Sequence, residues 1–293
     1  MESKNTPITI PEDQKGYQCE MILDSINPVG VRLTTMRLKY PLIVHAEMCR
    51  HRAFSRSVAS NRAIPTEKII AMVEQDPFIP IHWGKNQKGM QAEEELSPER
   101  RDLAIGTWLV YRDRAVDQAR HMSEHLGVHK QIANRLLNPF QWVTEIVTAT
   151  DWANFFALRC HPAAQPEIRQ IAEMARDVYE TSEPKPLLVG RWHLPLIRKG
   201  DHYKGIDSHG LYIETLKKVS AARCARTSYR THSGKISTVE EDLALYERLV
   251  GSDPKHASPT EHQAMALASQ ERIGNFRGWR QARYFIPNHT IED

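Results

Sequence analysis

The densest run of residues able to do chemistry is Arg50-His51-Arg52-Ala53-Phe54-Ser55-Arg56-Ser57-Val58-Ala59-Ser60-Asn61-Arg62. It holds four arginines and one histidine, with three serines interleaved. Guanidinium forks match phosphate and carboxylate oxygens two at a time, and hydroxyls fill the remaining acceptor positions. A phosphorylated small ligand suits such a set. So does a solvated basic face, because runs of charge are usually surface features.

Other chemistry-bearing residues give weaker signals. His121, His125 and His129 recur every four residues, as a metal stripe on one helix face would. No HExxH and no carboxylate at matching spacing accompanies them, and Gly127 is placed to break the helix before the third. Ser60 could be a nucleophile only with an adjacent base, and none is evident in the sequence. Cys49 and Cys160 each adjoin an arginine and are expected to be packed core thiols. The tail from Asn275 to Arg283 is basic and aromatic, as a stacking surface for single-stranded nucleic acid would be.

The elements that must position these residues are partly readable. Cys19 to Leu23 and Val29 to Leu33 predict two short strands, joined by a turn at Asn27-Pro28-Val29-Gly30. Pro41 is expected as the first residue of a helix running through Val44, Met48 and His51. Residues 75–97, with Pro77, Pro80, Gly84 and Gly89, predict a loop. Ser97-Pro98 then opens a long helix ending near Gly127. A shorter helix is expected from His129 to Leu137, an apolar one from Trp142 to Leu158, and an amphipathic one from Pro166. Ser237 to Glu240 predicts a capping box opening a helix to Val250, and residues 262–269 a strand. Residues 1–17 are expected to form a flexible arm. Residues 18–293 are expected to form one catalytic domain, with parts 18–182 and 211–293 joined by a connecting loop over 183–210.

Composition bounds the class. The chain has 293 residues, 41% hydrophobic and 26% charged, an ordinary globular balance with enough apolar material for a core. A net charge of +3 is too small to indicate a nucleic-acid partner. No apolar run approaches the ~18 residues of a membrane helix. Met1 to Lys15 is polar, with Pro7 and Pro11, and does not read as a signal peptide. Four cysteines without CxxC spacing fit a reducing cytoplasm.

Arg50-His51-Arg52 followed by seven residues and Ser60 resembles the RHR-x7-S signature of the flavin-dependent thymidylate synthases, the ThyX family. Ser55 and Arg62 match its fuller form, and Met36 to Val44 resembles the segment preceding it. Asn154-Phe155-Phe156-Ala157-Leu158-Arg159 and Ala164 to Ile168 resemble a second family block. A third block is out of order: Ala225-Arg226-Thr227-Ser228-Tyr229 and His256 to His262 look like the family's N-terminal part, yet here they follow the other two. The arrangement resembles a circular permutation or internal rearrangement.

The resemblance implies an α+β, ThyX-like fold with a mixed or antiparallel sheet flanked by long helices. It also implies reductive methylation of dUMP to dTMP with FAD, NADPH and methylenetetrahydrofolate. Arg50, His51, Arg52, Asn154, His256 and Ser258 would contact the flavin. Ser60 and Arg62 would hold the nucleotide phosphate, and Arg159 would be the catalytic group facing the pyrimidine. Glu47 stands where the family has Gln, Ser57-Val58 where it has Asn-Glu, and Ala163 where it has His, with His161 nearby. Arg135 or Arg280 could supply replacement substrate contacts. The Ser57-Val58 departure leaves open a related methylation or hydroxymethylation of dUMP or dCMP, and a non-enzymatic nucleotide- or RNA-binding protein stands as a further alternative. The family also implies a homotetramer with sites built across subunits. No motif of the thymidylate synthases that use a cysteine nucleophile is present. Lack of GxGxxG and P-loop motifs suits a family that holds FAD without a Rossmann domain.

Overall fold

The computed structural model describes residues 16–203, 211–227 and 236–288. The expected arm therefore lies outside the described residues except for Gly16 and Tyr17. Tyr17 is not part of an arm: it is 1% exposed, its ring edge-on to Trp142 at 5.0 Å.

Among the described residues the strands are β1 (Gln18–Ile26), β2 (Arg32–Pro41), β3 (Ser55–Val58), β4 (Trp142–Ala149), β5 (Lys185–Pro186), β6 (Trp192–His193), β7 (Ala264–Ala266), β8 (Arg272–Ile273), β9 (Phe276–Arg277) and β10 (Trp279–Gln281). The α-helices among the described residues are α1 (His45–Cys49), α2 (Thr66–Gln75), α3 (Pro98–Glu124), α4 (Lys130–Ala133), α5 (Ala153–Arg159), α6 (Pro166–Thr181), α7 (Leu211–Arg226) and α8 (Val239–Val250). The fold is α+β. Its main sheet is mixed, in the order β3-β4-β2-β1-β5, with only the β1–β5 pair parallel. A second sheet has the order β10-β7-β6.

The hairpin of β1 and β2 is fixed by Asn27, whose Oδ1 accepts from the N–H groups of Val29 and Val31 at 3.2 and 2.8 Å. Its amide also donates to the carbonyl of Gly278 at 2.9 Å, so the turn holds the C-terminal segment as well. Gly278 has φ +73, and a Cβ there would lie 2.6 Å from that amide.

Several expected boundaries shift. Residues 142–158 are not one helix: β4 takes the first half and α5 the second. Val143, Thr144, Ile146, Val147 and Thr148 are β-branched and tolerate extended backbone, and pairing with β2 on one side and β3 on the other makes the segment a nearly continuously buried strand. Pro41 ends β2 rather than starting a helix; a 3-10 turn at Leu42–Val44 intervenes before α1. The cap at α3 is as expected, Ser97 accepting from the N–H of Arg100, although the helix ends at Glu124. The His129–Leu137 segment is α4 followed by a 3-10 stretch over Asn134–Phe140. His129 caps α4 and so is not on α3 with His121 and His125. The capping box sits one residue later than expected, on Thr238 and Glu241. Of the 183–210 connection, residues 204–210 lie outside the description, and the rest contains β5 and β6.

One face of the main sheet, through Met36, Leu38, Val143 and Val147, packs on α5 and α6, chiefly Phe155, Ile168 and Ile171. Each fully buried aliphatic or aromatic side chain there contributes about 1.5–3 kcal/mol. The other face is joined to the second sheet by a buried file of hydrogen bonds. It runs from Ser57 Oγ to His262 Nε2 (2.9 Å), His262 Nδ1 to Thr148 Oγ1 (2.9 Å), Thr148 to Thr35 (2.7 Å), Thr35 to His193 Nε2 (2.8 Å) and His193 Nδ1 to Ser25 (2.9 Å). Phe276 and Trp279, expected on an exposed stacking surface, are fully buried against Val31 and Leu33, so the tail presents no such face through them.

Candidate functional site

The Arg-His-Arg run leaves α1 through a tight turn. The N–H groups of Arg50, His51 and Phe54 donate to the carbonyls of Glu47, Met48 and His51, each at 3.2 Å. Met48, buried, anchors the turn in the core. The chain then enters β3, the end strand of the main sheet among the described residues, which pairs with β4 and packs against the 3-10 turn over Ser258–Glu261. Arg50 and Arg52 come out exposed on either side of a buried His51.

The His51 ring lies edge-on to Phe155 at 4.9 Å and stacks on Phe54 at 5.6 Å. Its Nε2 accepts from Arg159 Nε at 3.0 Å, so the ring proton is on Nδ1. Burial, then the charges of Arg159 and Arg56, push His51 down to about 4. At neutral pH a neutral imidazole thus fixes the Arg159 guanidinium without cancelling its charge. Arg159 Nη2 also reaches the carbonyl of Glu47, at 3.5 Å. Among the described residues no carboxylate pairs with Arg50, Arg52 or Arg159. The structure thus brings Glu47, Arg50, His51, Arg52 and Arg159 together, although positions 50 and 159 are far apart in sequence.

Arg56, the third arginine of the run, is turned inward. It donates to the carbonyls of Met48 and Cys49 at 2.6 and 3.2 Å and lies 3.8 Å from Glu145, so it holds the end of α1. Glu145, fully buried, is pushed up to about 7 by burial, against the lowering effects of Tyr40 and Arg56. Nothing in the sequence marked Glu145, Tyr40 or His45 as neighbours of this turn.

The second half of the run lies at the far end of β3, whose four residues span about 13 Å. Ser60 Oγ accepts from the N–H of Arg62 at 3.3 Å. Asn134 donates to the carbonyls of Asn61 and Ile64, which pins this loop to the segment carrying Arg135. Arg62 and Arg135 are exposed there. Asn154 is exposed in the first turn of α5, the helix that ends in Arg159.

His256 and Ser258 are exposed on the segment leading to His262, which reaches β3 through Ser57. Within the third block, Ser228 and Tyr229 lie outside the described residues. Arg280 stands apart: it lies over the Phe285 ring at 4.7 Å, on the second sheet. Cys49, expected to be packed in the core, is exposed, whereas Cys160 is half-buried against it.

The exposed forks of Arg50 and Arg52 suit a diphosphate, and Arg159 is a cation held in place by His51. Such a set can bind an anionic ligand and stabilise negative charge on it.

A family model described as thymidylate synthase complementing protein, Thy1, matches residues 31–185, more than half of the chain. The match includes the Arg-His-Arg turn and Arg159, and excludes the segment with His256 and Ser258. Among solved structures, the chain is similar to two of the UMP/dUMP methylase PolB from Streptomyces cacaoi, bound with 5-Br UMP and with 5-Br dUMP. Identity is 14% and 15%, with TM-scores of 0.45 and 0.47; 56% of this chain is covered in both cases, and 88% and 89% of those chains. No curated protein matches the chain. With its Arg-His-Arg turn and Arg159 both inside the matched stretch, the chain belongs to the thymidylate synthase complementing protein (Thy1) family.

Proposed function

We propose that the chain catalyses reductive methylation of dUMP to dTMP, with FAD as cofactor, methylenetetrahydrofolate as carbon donor and NADPH as reductant. The observation that carries this is the charged Arg159 fixed by a neutral His51 beside two unneutralised guanidinium groups, inside the stretch that matches the family. When bound, the flavin supplies redox chemistry that no side chain can. Arg50 and Arg52 hold its phosphates, with Asn154, His256 and Ser258 as further contacts. Ser60, Arg62 and Arg135, at the other end of β3, hold the nucleotide phosphate. Arg159 faces the pyrimidine and stabilises negative charge on its carbonyl as C5 attacks. His51 keeps the guanidinium aligned and excludes water with Phe54 and Phe155. Arg280, engaged over Phe285, has no part in this arrangement. A homotetramer in which a second copy completes the site belongs to this reading.

Tritium release from C5-labelled dUMP, requiring FAD, NADPH and methylenetetrahydrofolate together, tests the reaction. Arg159→Ala is expected to lower turnover at least about 100-fold, the scale of losing one positioned charge donor, while flavin absorbance is retained. Release without FAD, or methylation of dCMP but not dUMP, overturns the proposal.

A further inference from the structure

Arg56 joins the Arg-His-Arg turn to the interior of the main sheet. Side chains alternate along a strand. Ser55 and Ser57 bond Gln281 and His262 on one face of β3, which turns Arg56 to the other face, toward α1. Opposite Arg56 on β4 is Val147, and Glu145, two residues along, shares its face. Tyr40 on β2 is paired with Val143, so Glu145 is its diagonal neighbour as well. Arg56, Glu145 and Tyr40 thus form one row across three strands. The Tyr40 hydroxyl donates to Glu145 Oε2 at 2.5 Å. Glu145 Oε1 accepts no hydrogen bond among the described residues, and Arg56 Nε lies 3.8 Å from it.

The far end of the Arg56 side chain closes α1. That helix has five residues, too few to keep its form unaided. Arg56 Nη1 donates to the Met48 carbonyl at 2.6 Å and Nη2 to the Cys49 carbonyl at 3.2 Å, the last two of the helix. The Met48 carbonyl also accepts from the N–H of His51, so Arg56 fixes the peptide from which His51 hangs. The His51 ring then meets Arg159 at 3.0 Å. A fully buried carboxylate at position 145 costs folding free energy that an apolar side chain would not, and what it provides here is a fixed direction for the Arg56 guanidinium.

We propose that Arg56 is a positioning residue for the methylation, with Glu145 as the carboxylate that orients it. Resting on the proposed function, the pair sets the turn so that the His51 Nε2 lone pair meets Arg159 and Arg159 meets the pyrimidine at one angle. The pair acts through His51 and Arg159 and not on the ligands. The Arg56 charge, third after burial and Arg159 in pushing His51 down, also helps keep that lone pair free of a proton.

The test reads His51 itself. In the full chain with 15N-labelled histidine, before nucleotide is added, the NMR signal of His51 Nε2 reports its bond from Arg159; it is identified by its loss in His51→Gln. Arg56→Met is expected to move this signal toward that of an imidazole without a donor. It should also lower kcat about tenfold, the scale of a small misplacement relayed from outside the chemistry. Turnover is measured above the pH of about 7 to which burial pushes Glu145, so that the carboxylate is ionised. KM for dUMP should stay within about twofold, because Ser60, Arg62 and Arg135 lie at the other end of β3. Arg56→Lys, able to reach one carbonyl, should recover part of both effects. Glu145→Gln keeps the volume and the Tyr40 bond, should move the His51 signal the same way and should lower kcat about threefold; it decides the matter if Arg56→Met does not fold. Wild-type His51 signal or wild-type kcat in the deciding variant overturns the inference and leaves the methylation proposal standing. If the wild type does not turn over dUMP while His51 responds to Arg56, the methylation proposal fails and the clamp on His51 stands.

Discussion

Arg223 and Arg159 are both held by hydrogen bonds within the fold, and their partners differ. Arg223, with 2% of its side chain exposed, bonds both oxygens of Asp201 at 2.6 and 2.9 Å, Asp242 at 2.7 Å and the carbonyl of Leu196 at 2.8 Å. Its charge is cancelled, and α7 is thereby tied to α8 and to the chain preceding it. Among the described residues, Arg159 has a neutral histidine and one carbonyl as partners, and no carboxylate pairs with Arg50 or Arg52. A buried charge without a counter-charge is costly. Where the fold compensates an arginine fully, that arginine belongs to the scaffold; where positive charge is left over near the surface, an anionic ligand can complete it.

The sharpest way to break this comparison is to delete each arginine. Arg223→Ala leaves two buried carboxylates facing each other and should cost about 3–5 kcal/mol in urea unfolding. Arg50→Ala should change stability by no more than about 0.5 kcal/mol, as at an uncoupled surface position. Equal losses would remove the distinction between scaffold and site.

Acid titration makes a second test, on the neutral histidines. Burial pushes His262 down to about 3, and burial and then His262 push His193 down to about 3, from an ordinary 6.5. Unfolded chains take up these protons first. The contribution of the pair is therefore fully present above pH 6.5 and is lost as pH falls from 6.5 toward 3, at up to about 1.4 kcal/mol per pH unit for each ring. Glu145 acts with opposite sign: raised from 4.5 to about 7, it favours the folded state at low pH and loses that contribution as pH rises through 7. In His262→Gln the acid-side slope should shrink while the loss near pH 7 remains; an unchanged acid slope would show that the histidine file does not hold the second sheet.

A far smaller loss than at Arg223 is expected at Asp151, which pairs with Arg272 and, at 3.5 Å, with Arg277 near the surface. Asp151→Asn should cost under about 1 kcal/mol and less still at high salt, because exposed pairs are screened.

Local chemistry made part of the protein readable from its sequence. Ser97-Pro98 capped and opened α3, Pro166 opened α6 with its apolar positions on one face, and Asn27 to Gly30 formed the hairpin turn. The Arg-His-Arg run was the densest cationic segment but equally suited a solvated basic face; the run and Arg159 were singled out by their resemblance to the family's sequence blocks. Segments whose form depends on neighbours were not readable. Residues 142–149 are a strand because β2 and β3 flank them with free hydrogen-bonding edges, a fact no window of that sequence contains. Likewise Arg56 turned inward to α1, Cys49 came to the surface opposite His45, and Trp279 went into the core of the second sheet. Residue type and spacing determined which charges this chain carries and where its helices begin. Only the tertiary structure decided which of those charges are cancelled, because cancellation depends on partners distant in sequence, and burial sets how much an unpaired charge costs.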